Sequence, residues 1–310
     1  MPPHPPIGFV ILSHRAPDQL LRLIRTLGEL YGNPPIACHH DFGQAPLDRS
    51  RFPANVRFVD DWVATGWGKW SVVDAFLHAL ALLYADGGPD WFVLLSGADY
   101  PVRQPDAVLA ELRDSGCDAF IDVHQIEPAP AAATLTGDIN PMLRHLDRAE
   151  SLRTKWGFYL ARQFWLPILR RRPRWRPGRL TIRLPWTQRG PFRDGFSLWW
   201  GEHWFTGNRR VADVFLQPTA THRALQRHLR WRAFPEESYY QTVLCNTPGL
   251  VLNRSNKRFT EWNGGGAHPM TLGPAEVPTM LASGMHFARK FDDDSAALDL
   301  IDHALSAAGR

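Results

Sequence analysis

Three groups of residues carry side chains able to do chemistry at the spacing found. Near the C-terminal end, the stretch GMHFARKFDDD sets two unlike cations side by side, Arg289 and Lys290, between Phe287 and Phe291, with three aspartates directly after them. A guanidinium fork beside an ammonium point charge can grip one polyanion. The same residues also suit a solvated helix start, with Asp292 to Asp294 at the positive end of a macrodipole. In FPEESYYQTVLCN, Glu236 and Glu237 fall in the first turn of a helix expected to begin near Pro235. A carboxylate held there by the backbone can deprotonate a hydroxyl in a cleft, although acidic residues are also ordinary at helix starts. The third group consists of polar residues that close apolar runs: Ser13-His14-Arg15, His39-His40-Asp41 and Ser96-Gly97-Ala98-Asp99. Consecutive residues on a strand alternate faces, so His39, His40 and Asp41 would not converge on a metal ion. The aspartates after Lys290 read as helix-capping charge, and no metal is expected.

These groups can meet only if the elements between them bring them together. IGFVILSH is a continuous apolar run with β-branched residues and reads as a buried strand. PDQLLRLIRTLGELYG follows with apolar residues at helical spacing, Pro17 at its start and Gly32 at its end. PIACHHD and NVRFVD read as further strands, SVVDAFLHALALLYADG as a helix and DWFVLLSGADYPV as the strongest strand. DAVLAELRDSG is a helix and CDAFIDVHQI a strand, and GFSLWWGEHWFTGNRRVADVFLQ reads as a strand pair leading into a helix. The alternation predicts βαβ units and a mostly parallel sheet flanked by helices. Ligands of such sheets bind at the carboxyl ends of the strands, which makes His14, Arg15, Asp41 and Asp99 candidates. No glycine-rich dinucleotide or P-loop pattern follows the first strand.

Composition sets the bounds. The chain has 310 residues, 44% hydrophobic and 21% charged, with a formal net charge of +4. That is ordinary for a globular protein and mildly favours anionic ligands, without any nucleic-acid motif beyond charge. Three separated cysteines, Cys38, Cys117 and Cys245, argue against a disulfide framework or a zinc site and for a reducing compartment. The N-terminal run lacks a basic flank and is strand-sized, so a cytoplasmic protein is expected. Thirteen tryptophans favour flat ligands such as sugars or bases, though aromatics also fill cores. The segment 153–186 is rich in Arg, Trp and Pro and nearly free of acids. It is a candidate for anionic polymer or for peripheral contact with an anionic membrane through 164–183, or simply an insertion folded onto the body.

The order of several pieces resembles the core-2/I-branching β-1,6-N-acetylglucosaminyltransferase and peptide O-xylosyltransferase family, glycosyltransferase family 14. The pieces are FVILSHRAPDQLLRLIRTL, HHD, NVRFVDDWVATGWGKWSVV, WFVLLSGADYPVRQ, GEHWFTGNRR, FPEESYYQTVLCN, KRFTEWN and FARKFD. The resemblance implies an α/β, GT-A glycosyltransferase fold in a single domain over 1–310, with a nucleotide-binding half at about 1–125 and a catalytic half at about 126–310. It implies inverting, metal-independent transfer from a UDP-sugar, with GlcNAc or xylose as the sugar and a glycan or lipid-linked acceptor. Glu237 falls on the family's general base, Arg289 and Lys290 on the basic pair that neutralises the diphosphate, and Arg258 on an arginine close to it. Asp99 falls on an Asp-aromatic-Pro turn at the donor. Trp67, Gly68 and Trp204 match cleft positions, and His203 and Trp262 are expected near them. On this reading Phe287 and Phe291 hold the cation pair in a dry frame. Two features depart from the family pattern: the membrane anchor and disulfides of animal members are missing, and Glu202 and His203 stand where relatives carry other small or polar residues. The competing expectation is a non-catalytic, basic, Trp-rich binding module, for which Glu237 would be dispensable.

Overall fold

The computed structural model describes residues 4–126, 130–142, 191–192, 194–232, 234–262, 269–292 and 296–308, together with the backbone of two short strands at 162–164 and 180–182. The segment 153–186 otherwise lies outside the described residues, and with it the expected membrane contact.

The main sheet contains β1 (Ile7–Ser13), β2 (Ile36–His40), β3 (Val56–Phe58), β4 (Trp91–Ser96), β6 (Ala119–Ile121), β8 (Thr134–Thr136), β12 (Phe205–Asn208) and β13 (Val251–Asn253). Their spatial order is β3-β2-β1-β4-β12-β6-β13-β8. Every neighbouring pair is parallel except those of β12, which runs antiparallel to both β4 and β6. A smaller sheet holds β5 (Asp99–Pro101), β14 (Arg258–Phe259) and β15 (Phe287–Arg289), in the order β14-β15-β5. Two ribbons pair β7 (His124–Gln125) with β11 (Trp199–Trp200), and β9 (Arg162–Phe164) with β10 (Leu180–Ile182).

Helices α1 (Pro17–Tyr31), α2 (Ser71–Tyr84), α3 (Pro105–Asp114), α4 (Arg209–Leu216), α5 (Ala220–Leu229), α6 (Tyr239–Cys245), α7 (Val277–Ala282) and α8 (Ala296–Ala308) cover both faces. Alternating residues of β1 and β4 divide the core: Phe9, Ile11, Val93 and Leu95 pack with α1, α3, α7 and α8, whereas Val10, Phe92 and Leu94 pack with α2, α4, α5 and α6. The two-residue period of a strand covered on both sides produces this division. Helix α1 shows the local logic. Leu20, Leu23, Ile24 and Leu27 are buried at helical spacing, Pro17 opens the helix, and Gly32 closes it at φ +67°, a conformation that glycine adopts without a Cβ penalty.

Three expected elements break, two of them where polar groups intervene. DWFVLLSGADYPV divides into β4 and β5 because the Asp99 carboxylate accepts from the Ser96 amide at 2.9 Å and the Ser96 hydroxyl at 2.6 Å, closing a turn that directs the chain into the smaller sheet. CDAFIDVHQI divides at Asp122, whose carboxylate accepts from the Glu202 amide at 3.0 Å. PEES does not open an α-helix. Pro235–Glu237 forms a single 3-10 turn after Phe234, which sits at φ +46°, and Ser238 leaves helical geometry before α6 begins.

Candidate active site

The parallel register places the C-terminal residues of the central strands side by side: Ser13 lies opposite His40, and Leu12 opposite Ser96. A cavity of about 670 Å³ opens at this edge. Chain leaving β1 and β4 forms one wall, through Ser13, His14, Arg15, Ser96 and Gly97. The rest of the lining is Gly201 to Trp204, with Glu236 and Glu237 from the 3-10 turn, Trp262 after β14 and Arg289 and Lys290 at the end of β15. Of the residues singled out from the sequence, His14, Arg15, Trp67, His203, Trp204, Glu237, Trp262, Arg289 and Lys290 line this one space.

The remaining four stand behind the wall. Asp99 is 1% exposed and accepts from Arg289 Nε at 3.1 Å; its register partner in the β5–β15 pair is Arg289 itself. It therefore positions the cation and is not a lining group. Arg258 is fully buried, donating to the carbonyls of Asn256 at 2.9 Å, Leu94 at 3.2 Å and Phe205 at 3.3 Å. Burial, and then the charge of Arg289, lower its pKa to about 10. It ties β14 to the main sheet instead of reaching the cavity. Asp41 accepts from Gly43 N at 3.0 Å, Gln44 Nε2 at 2.6 Å and Thr65 N at 2.7 Å, and so folds the loops whose Gln44 and Thr65 line the cavity. Burial opposes its ionisation, yet these hydrogen bonds hold its carboxyl below the usual range. Gly68, at φ +61°, accepts from the Phe234 amide through its carbonyl and links the Trp67 loop to the turn carrying Glu237.

The cation pair has a different aromatic partner from the one its flanking residues indicate. Phe287 and Phe291 are fully buried in the core with α1 and α8. The guanidinium of Arg289 instead lies 4.4 Å over the ring of Trp204, while Arg258 lies 5.1 Å over Phe287. Asp292 lies 4.0 Å from Arg15 in an exposed ion pair, and the two aspartates after it fall outside the described residues.

His39 and His40 are engaged separately. The Val63 amide donates to His39 Nε2 at 3.0 Å, whereas His40 contacts the Ser13 hydroxyl at 2.6 Å and the Ala45 carbonyl at 2.8 Å. Among the described residues no group of three or more His, Cys, Asp or Glu side chains is placed to hold a metal ion. Burial lowers the pKa of His14, and Arg15 lowers it further. No helix among the described residues is long and apolar enough to cross a membrane.

One lining residue that sequence reasoning did not place in the site is Glu202. It is 9% exposed, and its Oε2 accepts from Asn256 Nδ2 at 3.2 Å. Burial raises its pKa to about 7, with Arg289 opposing and Asp122 and Glu237 adding to the shift. The only signal in the sequence was its departure from the family pattern. Gly201 is what allows the approach: a Cβ there would sit 2.0 Å from the Asp122 carbonyl oxygen, and the Gly201 amide donates to the Glu237 carbonyl at 2.9 Å.

The family model for the Core-2/I-Branching enzyme matches residues 39–285. The beta-glucuronosyltransferase GlcAT14B of Arabidopsis thaliana is 28% identical over 322 residues, covering 96% of this chain and 66% of that protein. Xylosyltransferase 1 of Rattus norvegicus is 28% identical over 274 residues, covering 85% of this chain and 29% of that protein. The chain thus spans less than two thirds of these relatives' length. Among solved structures, galactosyltransferase LgtC in complex with donor and acceptor sugar analogs aligns with a TM-score of 0.40 at 10% identity, covering 97% of this chain and 95% of that one. With its family model matched over most of its length, the chain belongs to the Core-2/I-Branching enzyme family.

Proposed function

We propose that the chain is an inverting glycosyltransferase that moves a sugar, GlcNAc or xylose, from a UDP-sugar to a hydroxyl of a glycan or lipid-linked acceptor. The observation that carries this reading is that Glu237, Arg289 and Lys290, far apart in sequence, line one cavity at the carboxyl edge of a parallel sheet. The names of the relatives, a glucuronosyltransferase and a xylosyltransferase, agree with it.

In the reaction, Glu237 removes the proton from the acceptor hydroxyl. The oxygen attacks the anomeric carbon from the face opposite the leaving group, the bond from that carbon to the phosphate oxygen breaks, and its electron pair leaves with UDP. From an α-linked donor the product is a β-glycoside. Negative charge grows on the β-phosphate as this bond opens, and Arg289 and Lys290 are the fixed cations that neutralise it. Asp99 and the Trp204 ring hold the Arg289 guanidinium in place beforehand, so little reorganisation accompanies the step. On this reading the protein cations do the work that a divalent ion does elsewhere.

The test is calorimetric titration with UDP in excess EDTA, comparing the native protein with the Arg289→Ala, Lys290→Ala double variant. UDP binding that survives EDTA and disappears in the double variant is the expected result. Binding that requires added Mn²⁺ would overturn the metal-independent clamp. No binding under either condition would bring forward the alternative of a basic, Trp-rich binding module.

A further inference from the structure

Glu202 is a buried carboxyl on the cavity lining with no part in the reaction as written. Its backbone is fixed: the amide donates to Asp122 at 3.0 Å, and the carbonyl accepts from Gln241 Nε2 at 2.7 Å. Among the described residues one hydrogen-bond donor reaches its carboxyl, Asn256 Nδ2 at 3.2 Å, and that amide carries no charge. Charged groups act on it from several elements: Asp122 after β6, Glu237 from the 3-10 turn, Arg258 on β14 and Arg289 on β15. Both arginines are committed to other partners, Arg289 to Asp99 and Arg258 to three backbone carbonyls. A carboxyl buried beside other carboxylates, with no cation bound to it, holds its proton tightly. The pKa of about 7 agrees with that geometry.

What favours the charged form of Glu202 is first Arg289 and then the Asn256 amide. Arg289 is also the cation assigned above to the donor's diphosphate. A diphosphate seated there cancels the charge that favours ionised Glu202, adds negative charge to the same cavity and displaces water from it. Each of these changes favours the protonated carboxyl.

We propose that donor binding is coupled to a proton on Glu202: the diphosphate binds best when this carboxyl is neutral, and the complex takes a proton from solvent to make it so. The proposal rests on the UDP-sugar reading above and adds a proton that the transfer chemistry does not consume. The coupling is reciprocal. If the complex holds the proton about tenfold more tightly than the free protein, the protonated protein holds the donor about tenfold more tightly than the ionised one. Donor affinity is therefore highest on the acidic side, where the carboxyl is already neutral, and falls as pH rises through 7. Arg15, Glu236 and Lys290 line the same cavity, as does His14, whose pKa is lowered by burial and then by Arg15. An anion in the cavity favours protonated His14 too, so the experiment separates the two. His203 is pushed down to about 3 by burial and then by Arg289, and it stays neutral throughout.

Calorimetric titration with UDP-xylose and UDP-GlcNAc in EDTA reads the coupling directly. Their diphosphates are diesters with no proton to exchange in this range, so a proton taken up goes to the protein. At pH 7.5 the binding heat should vary with the ionisation heat of the buffer, compared between Tris and phosphate, with a slope of roughly half a proton per donor. Between pH 6 and pH 9 the affinity should fall about tenfold. Glu202→Gln should abolish the uptake and limit that fall to about twofold. His14→Gln should keep the native uptake, which assigns the proton even where Glu202→Gln fails to fold. Native binding without any buffer dependence would overturn the coupling, as would uptake that persists in Glu202→Gln or disappears in His14→Gln. Failure of the native protein to bind UDP or either UDP-sugar at any pH would instead overturn the glycosyl-transfer reading beneath it.

Discussion

Arg289 is held from two sides, by Asp99 at its Nε and by the Trp204 ring over its guanidinium, and so reaches the cavity with its orientation set. Replacing Asp99 by Ala should leave the cation present but loose. UDP affinity should then fall about tenfold, the order expected for a lost charge-assisted hydrogen bond; an unchanged affinity would mean that Trp204 suffices. On the proposed mechanism Glu237 acts in the chemical step and not in UDP binding. Glu237→Gln should lower turnover by about a thousandfold while UDP affinity stays within about twofold, measured by product formation and calorimetry. Glu202 makes a prediction about pH. Its folded-state pKa of about 7 lies above the ordinary 4.5, so the folded chain holds that proton more tightly than the unfolded one. The contribution is therefore full below about pH 4.5 and is lost as pH rises toward 7, by up to roughly 3 kcal/mol. The groups acting on it are Asp122, Glu237, Arg289 and Asn256. Urea unfolding at pH 5 and pH 8 should show a smaller loss in Glu202→Gln than in the native protein; identical differences would place Glu202 in the ordinary range. Residue types and the order of the pieces pointed to Glu237, Arg289 and Lys290, and the structure brings the three to one cavity. The importance of Glu202 was not legible, because a raised carboxyl pKa comes from burial that no local spacing reveals.

At the scale of elements, the strands and helices with continuous apolar runs or helical periodicity were readable: β1, β2, β4, α1 and α2 all lie where the pattern places them. What could not be read were the breaks. Two of them depend on a polar side chain that captures a backbone amide: Asp99 that of Ser96, and Asp122 that of Glu202 across 80 residues. The antiparallel insertion of β12 between β4 and β6 was equally hidden, since pairing partners are set by the assembled sheet rather than by the strand. The junction of β11 with the Glu202 wall depends on one such hidden feature, the contact of Gly201 with the Asp122 carbonyl. A methyl group at 2.0 Å from that oxygen cannot be accommodated in place. Gly201→Ala should therefore move the wall, weakening the amide link to Glu237, and should lower turnover by at least about tenfold with smaller loss of UDP affinity. Equal losses in both would mean that the displacement spreads to Arg289.

At the scale of the whole molecule, the floor beneath the cation pair is built by the C-terminal helix. Phe287 and Phe291, which bracket Arg289 and Lys290, share a core with Leu298, Ile301 and Leu305 of α8 and with Leu20, Leu23 and Ile24 of α1. Arg22 of α1 bridges to Asp299 at 2.6 Å and Asp302 at 2.7 Å, and the Tyr100 hydroxyl donates to Asp302 at 2.8 Å. Gln19, which lines the cavity, also donates to the Phe291 carbonyl at 2.9 Å. The exposed part of the ion-pair network adds little by itself; the apolar contacts carry most of the docking. Ile301 is fully buried and does not line the cavity. Ile301→Ala should cost about 2–5 kcal/mol of stability in urea unfolding, from lost burial and the cavity left behind. Because β15 is also held by its pairing with β5 and β14, UDP affinity at 25 °C should change by less than about threefold. A variant that loses UDP affinity in proportion to its stability would show that α8 sets the position of the clamp as well as supporting it.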